Sequence, residues 1–459
     1  MIFARQRTVG RPKVVPFGWA DLFGPLAVLL NVAVVCIWIR NQGLASIYSG
    51  ADRAIGSLGL LTGLLSTSLM ITMMLMLARI PAVEKAWGHD LLTHRHRWVG
   101  FVSFWFMIAH VVAYMVERAG DGNVGRAWWH LFVLDSWMLW ATTGTIMIAA
   151  VVVLSIRWAR RRMRYEPWHL LHLYAYLGMA LAFPHQIMDG ADFHETWART
   201  FWWVLYLGTL AVFLGYRIVL PIHRSWYHRM RVTSVDVEAP GVYSVNIEGH
   251  RLDRLRTESG QFFNWRFYDG PGWSRGNPYT ISAAPTDDHM RVTIQAVGDG
   301  SARVASLTHG TRVFIEGPFG TMTARRRQNP YMLLIAAGVG ITPIRALLED
   351  SPYAPGECTL IYRYTEEEHA IFKPEIGAIA ARRGVIVRYL PGHRRHDGSW
   401  LPAGPPASDD AYALAALVPD ITRTDIFLCG PPPWIRAVRA AARRAGADRR
   451  HIHTEDFAW

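Results

Sequence analysis

The chain has 459 residues, 51% of them apolar, and a formal net charge of +12. This length predicts two or three domains rather than one. The three cysteines, Cys36, Cys358 and Cys429, form no CxxC pair, which excludes a readable disulfide framework, zinc site or iron–sulfur cluster. The basic residues cluster beside apolar segments, so the positive charge favours a membrane protein over a nucleic-acid-binding protein.

Six segments in the first half of the chain approach the ~20 apolar residues that cross a bilayer. They are residues 19–39, 54–80, 97–116, 136–158, 168–188 and 201–220. The tail of residues 1–16 and the connections after the second, fourth and sixth segments are basic, whereas the third and fifth connections are acidic. By the positive-inside rule, this alternation predicts six transmembrane helices within residues 17–222 and both termini in the cytoplasm. We therefore expect an integral protein of a plasma or inner membrane.

Two of the predicted spans, the third and the fifth, each carry a pair of histidines. The pairs are His96 with His110, 14 residues apart, and His172 with His185, 13 apart. Along an α-helix each pair spans about 20 Å, and the charge alternation makes the two helices parallel. The four histidines then form an inner and an outer pair, as two stacked haems require. For a single intramembrane histidine, a helix–helix hydrogen bond is the alternative.

The spacing in the fifth span differs from that in the third. In an ideal helix, 13 residues leave His185 about 140° away from the face of His172. Pro184 precedes His185, and a proline kink or a π-bulge would correct the angle. Ligation by His185 therefore depends on a local distortion of the helix.

These six spans and paired histidines resemble the ferric reductase-like transmembrane domain of ferric reductases and NADPH oxidases. The resemblance implies two b-type haems. In it, His96 and His172 hold the inner haem, and His110 and His185 hold the outer one.

From about residue 228 the pattern changes to six short alternating strands separated by turn residues. This pattern predicts a small antiparallel β-barrel, which we place at residues 228–325. It contains the motif Arg275-Gly-Asn-Pro-Tyr-Thr-Ile-Ser282 and, further on, Gly298-Asp-Gly-Ser301 before a short helical stretch. A helix N-terminus with small residues is a candidate pyrophosphate site, although the same four residues also form ordinary turns.

The first of these motifs resembles the flavin signature of the ferredoxin–NADP reductase superfamily. The resemblance implies that the ring of Tyr279 packs on the FAD isoalloxazine and that Thr280 hydrogen-bonds its hydride-accepting edge. Asn277 stands where the family commonly has arginine or histidine, and Arg275 is the candidate substitute. The implied FAD contacts are Arg275, Asn277, Pro278, Tyr279, Thr280, Ser282, Gly300 and Ser301.

Residues 330–459 alternate strands and helices, which predicts an α/β domain with a parallel sheet. An apolar strand at 332–337 runs into Gly338-Val-Gly-Ile-Thr-Pro343. Gly338 and Gly340 would let the backbone approach a pyrophosphate, with Thr342 as N-cap and Pro343 in the first helical turn. The segment resembles the Gly-x-Gly-x-Thr-Pro loop of the same superfamily, and implies a nicotinamide nucleotide.

Two further segments of this domain bear on the nucleotide. Arg363 follows a strand and is a candidate for the 2′-phosphate of NADPH, with a plain surface arginine and NADH as the alternative. Cys429-Gly430-Pro431 resembles the family's turn beside the nicotinamide, with a core cysteine as the alternative. The resemblance also implies a terminal aromatic that stacks on the flavin, and Phe457 and Trp459 are the candidates. The predicted catalytic residues are Thr280, Cys429, Phe457 and Trp459.

The predicted fold is thus a six-helix transmembrane bundle, an antiparallel FAD-binding barrel and an α/β nucleotide-binding domain. We expect an oxidoreductase that passes electrons from NADPH or NADH, through FAD and two haems, to an external small-molecule acceptor. Ferric chelate and dioxygen are the candidate acceptors. The alternatives are a haem or quinone relay that serves a partner protein, and a flavin reductase that helices merely anchor to the bilayer.

Overall fold

A computed structural model describes residues 19–119, 123–129, 136–163, 165–190, 195–270, 272–396, 398–404 and 409–455. The chain divides into two compact units. The helical unit comprises Asp21–Ile80 and Leu92–Gly215. The α/β unit comprises Pro81–Leu91 and the described residues from Tyr216 onward. The predicted boundaries between a barrel and a nucleotide domain stay predictions.

Each of the six predicted spans overlaps a long helix, and shorter helices join them. The first ten helices are α1 (Phe23–Arg40), α2 (Gly43–Ile47), α3 (Ala51–Met76), α4 (Pro81–Trp87), α5 (His89–Ala119), α6 (Val124–Trp129), α7 (Ser136–Ser155), α8 (Arg157–Arg160), α9 (Tyr165–Asp189) and α10 (Thr196–Leu214). Of these, α4 lies in the α/β unit.

Five helices in the described part of the chain are long and apolar enough to cross a membrane. They are Ala20–Arg40, Ala51–Met76, Leu91–Ala119, Trp137–Ser155 and Thr196–His228. The last continues from α10 through a π-helical turn, Gly215–Val219, into α11 (Leu220–His228). The predicted fifth span, α9, has 25 residues but is more polar and is not among the five. Five candidate spans are thus found, and the sixth stays a prediction.

Helices of the helical unit approach closely where glycine replaces a side chain. A Cβ atom on Gly144 of α7 would lie 2.4 Å from the carbonyl oxygen of Gly178 on α9. Hydrogen bonds from polar side chains also link neighbouring helices. The Ser66 hydroxyl of α3 donates to the carbonyl oxygen of Ser103 on α5 at 2.8 Å. The Ser68 hydroxyl of α3 donates to the side chain of Asn31 on α1 at 2.7 Å. Small residues and buried hydroxyls are typical of packing between membrane helices.

The first part of the α/β unit contains two three-stranded antiparallel sheets, β1-β2-β5 and β4-β3-β6. The strands are β1 (Arg231–Ala239), β2 (Val242–Glu248), β3 (Phe262–Phe267), β4 (Asn277–Thr280), β5 (His289–Gln295) and β6 (Val313–Phe319), and the short helix α12 (Asp299–Ala302) follows β5. Bridges at Ile281–Val292 and Arg231–Arg312 link strand edges. The antiparallel strands are as predicted, whereas their closure into a barrel stays a prediction.

The second part is a five-stranded parallel sheet in the order β11-β10-β7-β8-β9. Its strands and helices are β7 (Tyr331–Ala337), α13 (Ile341–Asp350), β8 (Cys358–Tyr364), α14 (Lys373–Arg383), β9 (Ile386–Pro391), α15 (Asp410–Leu417), β10 (Thr424–Cys429), α16 (Pro432–Arg444) and β11 (Ile452–Thr454). Leu333 to Ala336 of β7 are fully buried because apolar clusters cover both faces of the sheet. This is the environment that a continuous apolar strand predicts.

The sequence also predicts that the strand ending at Cys429 is the last strand of the domain. The structure differs from the sequence prediction in two details. First, β11 follows as a further parallel strand beside the strand that ends at Cys429. Thr342 is not the N-cap of α13, since the cap position is Gly340 and no side chain caps the helix. Thr342 lies instead inside the first turn and is buried.

Candidate functional site

The helical unit brings the four predicted histidines together in two pairs. The ring centres of His96 on α5 and His172 on α9 lie 6.2 Å apart. Those of His110 and His185, on the same two helices, lie 6.4 Å apart. The inner and outer pairing is the one that the spacing predicts.

These separations match two imidazoles that bind one metal ion from opposite sides. A metal–nitrogen bond of about 2.0 Å, plus about 1.2 Å from nitrogen to ring centre on each side, gives about 6.4 Å. Imidazoles that stack on or hydrogen-bond each other directly would have shorter centre separations. The residues present therefore fit two bis-histidine metal sites of the kind that would hold two haems.

Hydrogen bonds at Nδ1 orient three of these rings. Nδ1 of His110 lies 2.8 Å from the carbonyl oxygen of Gly59, and Nδ1 of His185 contacts the carbonyl oxygen of Ala182. Nδ1 of His172 lies 3.3 Å from the hydroxyl of Ser155. A ring that donates from Nδ1 keeps the Nε2 lone pair for a metal, which is the usual arrangement of a ligating histidine.

A row of glycines on α3 makes room for the outer pair. Cβ atoms on Gly56 and Gly59 would lie 2.1 Å from the Glu117 carboxylate and 2.8 Å from the Cβ of Ala113, both on α5. A Cβ on Gly63 would lie 2.7 Å from Nδ1 of His110. The sequence analysis missed these residues, although their spacing of three and four places them on one helix face.

The 13-residue spacing of the fifth span is accommodated without a π-bulge. Residues Tyr165–Asp189 form one α-helix that contains Pro184, and no π-helical turn occurs within it. His185 still reaches His110, with its ring folded back to the carbonyl of Ala182. The predicted π-bulge is therefore absent from α9, and the kink at Pro184 stays a prediction.

The flavin motif forms β4 and the turn that follows it. Tyr279 is half-buried, and burial raises the pKa of its phenol to about 12. Its carbonyl oxygen accepts a hydrogen bond from the Trp265 indole at 2.8 Å, which fixes the strand. Thr280 is buried, Pro278 is half-buried and Arg275 is exposed.

The same strand meets the predicted pyrophosphate turn. A Cβ on Gly300 would lie 3.6 Å from the side-chain amide of Asn277, so the two segments are neighbours. The Ser301 hydroxyl accepts the N–H groups of Val297 and Gly298, at 3.0 and 3.1 Å. It thereby caps α12, and contact between this hydroxyl and a cofactor stays a prediction.

Ser282 is also used within the fold. Its hydroxyl is fully buried, and it accepts hydrogen bonds from Thr293 at 2.7 Å and from Arg291 at 3.2 Å. Arg291 in turn pairs with Glu375 at 2.8 Å. Ser282 therefore stabilises the strand after the motif, and a direct contact with FAD stays a prediction.

In the parallel sheet, the predicted nucleotide loop packs against the predicted Cys-Gly-Pro turn. A Cβ on Gly340 would lie 2.4 Å from the carbonyl oxygen of Cys429, so only glycine allows this approach. Gly338 has a φ of +56°, and Gly430 has no space for a side chain beside Trp434. Both loops follow carboxyl ends of adjacent parallel strands, where α/β folds bind nucleotides. Pro431 is the N-cap residue of α16, and Pro343 is buried in α13.

Cys429 is 2% exposed, and burial, together with the nearby Glu455 carboxylate, raises the pKa of its thiol. Glu455 is itself buried, and a Cβ on Gly320 would lie 2.7 Å from its carboxylate. The thiol is thus held neutral beside an acidic group. Glu455 is a candidate site residue that the sequence analysis missed. Its signal was the Glu455-x-Phe457 pattern, of which only the aromatic was used.

Arg363 lies at the end of β8 but is buried rather than on the surface. It donates to the carbonyl oxygen of Gly392 at 2.9 Å, and burial and the charge of Arg394 lower its pKa. A 2′-phosphate contact by Arg363 stays a prediction. The predicted catalytic residues Phe457 and Trp459 lie outside the described residues.

Two family models match the chain. A ferric reductase like transmembrane component matches residues 62–183, and an oxidoreductase NAD-binding domain matches residues 334–440. A ferredoxin reductase component of 3-ketosteroid-9-alpha-monooxygenase from Mycolicibacterium smegmatis is 32% identical over 45% of this chain and 57% of that protein. Ferredoxin–NADP reductase B of Sorangium cellulosum is 27% identical over 50% of this chain and 96% of that protein.

Among solved structures, the flavohem-like FAD/NAD-binding domain of nitric oxide dioxygenase from Vibrio cholerae aligns with a TM-score of 0.41 and 22% identity. It covers 50% of this chain and 98% of that structure. The chain spans little more than half the length of the first-named relative.

Two parts of the chain thus resemble known domains: residues 62–183 resemble a ferric reductase like transmembrane component, and residues 334–440 resemble an oxidoreductase NAD-binding domain. The first part overlaps helices that are apolar enough to cross a membrane. The resemblance that the sequence motifs indicate is confirmed.

Proposed function

We propose that the chain carries electrons across a membrane from NADPH or NADH on the cytoplasmic side to a small-molecule acceptor on the other side. The acceptor is a ferric chelate or dioxygen. The observation that carries this proposal is the pair of opposed histidine sites in the helical unit, with ring centres 6.2 and 6.4 Å apart. A six-span topology with both termini in the cytoplasm completes the proposal.

His96 and His172 would hold one haem b, and His110 and His185 would hold the other. Such haems would supply the capacity for single-electron transfer. Gly63 leaves space for the ring of His110, and the Gly59 carbonyl orients it. These contacts support a fixed ligand rather than a mobile side chain.

Asn277, Tyr279 and Thr280 of β4, with Gly300 of the adjacent turn, would bind FAD. FAD supplies the conversion of a two-electron hydride transfer into single-electron steps. The Trp265 indole holds the backbone of the motif in place, and the burial of Thr280 keeps water away from its hydroxyl.

The backbone of Gly338 and Gly340 would bind the nucleotide pyrophosphate at the start of α13. Cys429 would lie beside the nicotinamide as a neutral thiol, which presents no charge to the ring. The charge of Glu455 helps to keep this thiol neutral, and Arg363 is the candidate for the 2′-phosphate of NADPH.

The proposal is tested by nucleotide oxidation with the purified full chain. Ferric chelate and dioxygen are offered separately, and superoxide dismutase is added in a parallel measurement. We expect turnover with at least one acceptor without any added protein. The variant His110→Ala should abolish turnover while NADPH still reduces the flavin. His94→Gln, an exposed histidine on the same helix, is the matched control and should keep full activity.

A second function is favoured by the names of the relatives, several of which are reductase or electron-transfer components of oxygenases. In this alternative, the chain relays electrons to a partner protein and has no acceptor site of its own. It predicts that the purified chain oxidises NADPH only when that partner is added. Turnover with a small acceptor alone would exclude it.

A further inference from the structure

A cavity with a largely apolar lining and several hydrogen-bond donors lies at the end of the last apolar helix, within the α/β unit. Its volume is about 520 Å³, and its lining residues are His223, Trp226, Tyr227, Arg229 and His250. None of the residues proposed above for haem, flavin or nucleotide binding lines this cavity. Two histidines, one arginine and one phenol make a lining rich in hydrogen-bond donors, which is typical of an anion site.

The helix α11 that forms one wall is fixed to the sheet behind it. The Ser225 hydroxyl accepts the N–H of Ile315 at 3.0 Å, and the Arg224 guanidinium donates to the carbonyl oxygen of Gly317. Both partners belong to β6. The face of α11 that carries His223 and Tyr227 is therefore held in position before any ligand arrives.

The second wall is tied to the end of the helix by backbone hydrogen bonds. The N–H of His250 donates to the carbonyl oxygen of His228 at 2.6 Å, and Nδ1 of His228 lies 2.9 Å from the carbonyl oxygen of His250. The ring of His250 then lies 5.8 Å from that of Tyr227. The cavity is thus bounded by two segments that the fold joins.

Tyr227 lies at the centre of the basic groups. The ring of His223 stacks on it at 6.0 Å, and Arg254 donates to its hydroxyl oxygen at 2.6 Å. Asp253, in the turn beside His250, is the acidic side chain close to His228. Arg229 and Arg254 carry two positive charges against the one negative charge of Asp253, so the site favours an anion.

Apolar side chains beside the cavity indicate where the anion comes from. Trp226 is 83% exposed, and Ile222 and Val219 are 64% and 61% exposed, on the same helix. Exposed tryptophan beside aliphatic residues belongs at the headgroup level of a bilayer. The helix Thr196–His228 has 33 residues. Its length of about 50 Å exceeds the ~30 Å hydrocarbon core, so part of the helix extends beyond the core. The exposed Trp226 favours the C-terminal turns as that part.

We propose that this cavity binds the phosphate headgroup of an anionic phospholipid, with Arg229 as the charge contact, His250 as a hydrogen-bond donor and Trp226 at the acyl-chain side. The proposal is independent of the haem and flavin assignments, because none of those residues takes part. Its chemistry is that of a phosphate held by a basic, aromatic-lined site at a membrane surface.

The test is native mass spectrometry of the full chain in detergent, titrated with phosphatidylglycerol and with phosphatidylcholine. We expect phosphatidylglycerol to bind the unmodified chain about tenfold more tightly. The double variant Arg229→Gln/His250→Gln should lose about tenfold in phosphatidylglycerol affinity, because it removes the charge of Arg229 and the imidazole donor of His250. Arg256→Gln removes an exposed charge that does not line the cavity, and it should change the affinity less than twofold.

A second measurement follows the acyl-chain side. Brominated phosphatidylglycerol should quench Trp226, so the Trp226→Phe variant should lose part of the quenching that the unmodified chain shows. Equal affinities of the double variant and the unmodified chain would overturn the proposal, as would equal binding of phosphatidylcholine. Full competition by millimolar inorganic phosphate would assign the cavity to a soluble anion and would also overturn it.

Discussion

At the residue scale, the proposed haem sites depend on what surrounds each imidazole as well as on the imidazole itself. Gly63 has no side chain that would clash with the ring of His110, and the carbonyl oxygen of Gly59 hydrogen-bonds to Nδ1 of His110. A histidine whose second nitrogen is engaged has a fixed tautomer and a fixed direction. The ligand geometry is therefore a property of α3 as much as of α5.

The variant Gly63→Ala tests this dependence. An added methyl group would lie 2.7 Å from Nδ1 of His110 and must displace the ring. We expect the outer haem to be lost, so that the haem-to-protein ratio from the absorption spectrum falls from two to about one. The control Gly208→Ala adds the same methyl group where nothing lies within 4 Å. An unchanged haem-to-protein ratio in Gly63→Ala would contradict the proposed role of α3 in positioning His110.

Glu455 offers a second test at this scale. Its carboxylate lies against Gly320 and acts on the Cys429 thiol. The variant Glu455→Gln should slow flavin reduction by NADPH roughly tenfold in stopped-flow traces, because it removes the charge beside the thiol at the proposed nicotinamide site. Haem content should not change. Glu368→Gln, an exposed carboxylate of the same unit, is the control, and equal rates in both variants would contradict the role.

At the element scale, one buried carboxylate joins the last strand to the parallel sheet. Asp425 of β10 accepts hydrogen bonds from His451 at 3.1 Å and His453 at 3.0 Å. It also accepts the N–H groups of Gln328 and Asn329 at 2.7 and 2.6 Å. Burial alone would raise the pKa of Asp425, but these hydrogen bonds outweigh it and lower the pKa below its ordinary value.

A carboxyl group whose pKa is lowered in the folded state stabilises the fold at pH values above its ordinary pKa. This stabilisation is lost as the pH falls through the pKa of the folded state. The variant Asp425→Asn should therefore cost about 1–3 kcal/mol at pH 7. The difference from the unmodified chain should narrow below about pH 4. Thermal unfolding followed by circular dichroism measures this, with the exposed Asp287→Asn as control. A difference that is constant with pH would contradict the assignment.

The elements also show what the sequence could and could not predict. Hydrophobic length and charge alternation located all six long helices to within a few residues at most ends, because burial in lipid leaves a strong pattern. The prediction that Thr342 caps α13 was wrong, because a 3₁₀ turn at Gly338–Gly340 precedes the helix and no side chain caps it. The glycines of α3 and the role of Glu455 were missed because both act through residues distant in the sequence.

At the scale of the whole molecule, the order of the parts carries the function better than any single motif. Ferric reductase-like helices precede antiparallel strands with the flavin motif, and the NAD-binding domain follows. The pairing of the histidines could be predicted because histidine is rare within membrane spans. Four histidines at matching positions on two predicted spans are difficult to explain without a shared ligand. The electron acceptor could not be predicted, because the connections predicted to lie outside the membrane contain no metal-binding cluster or other diagnostic motif.

The most direct test of the central claim is a haem count per chain in matched variants. The unmodified chain should hold two haems with a bis-histidine absorption spectrum. His96→Ala/His172→Ala and His110→Ala/His185→Ala should each hold one, and the quadruple variant should hold none. His94→Gln should retain both. Two haems in either double variant, or none in the unmodified chain, would contradict the account.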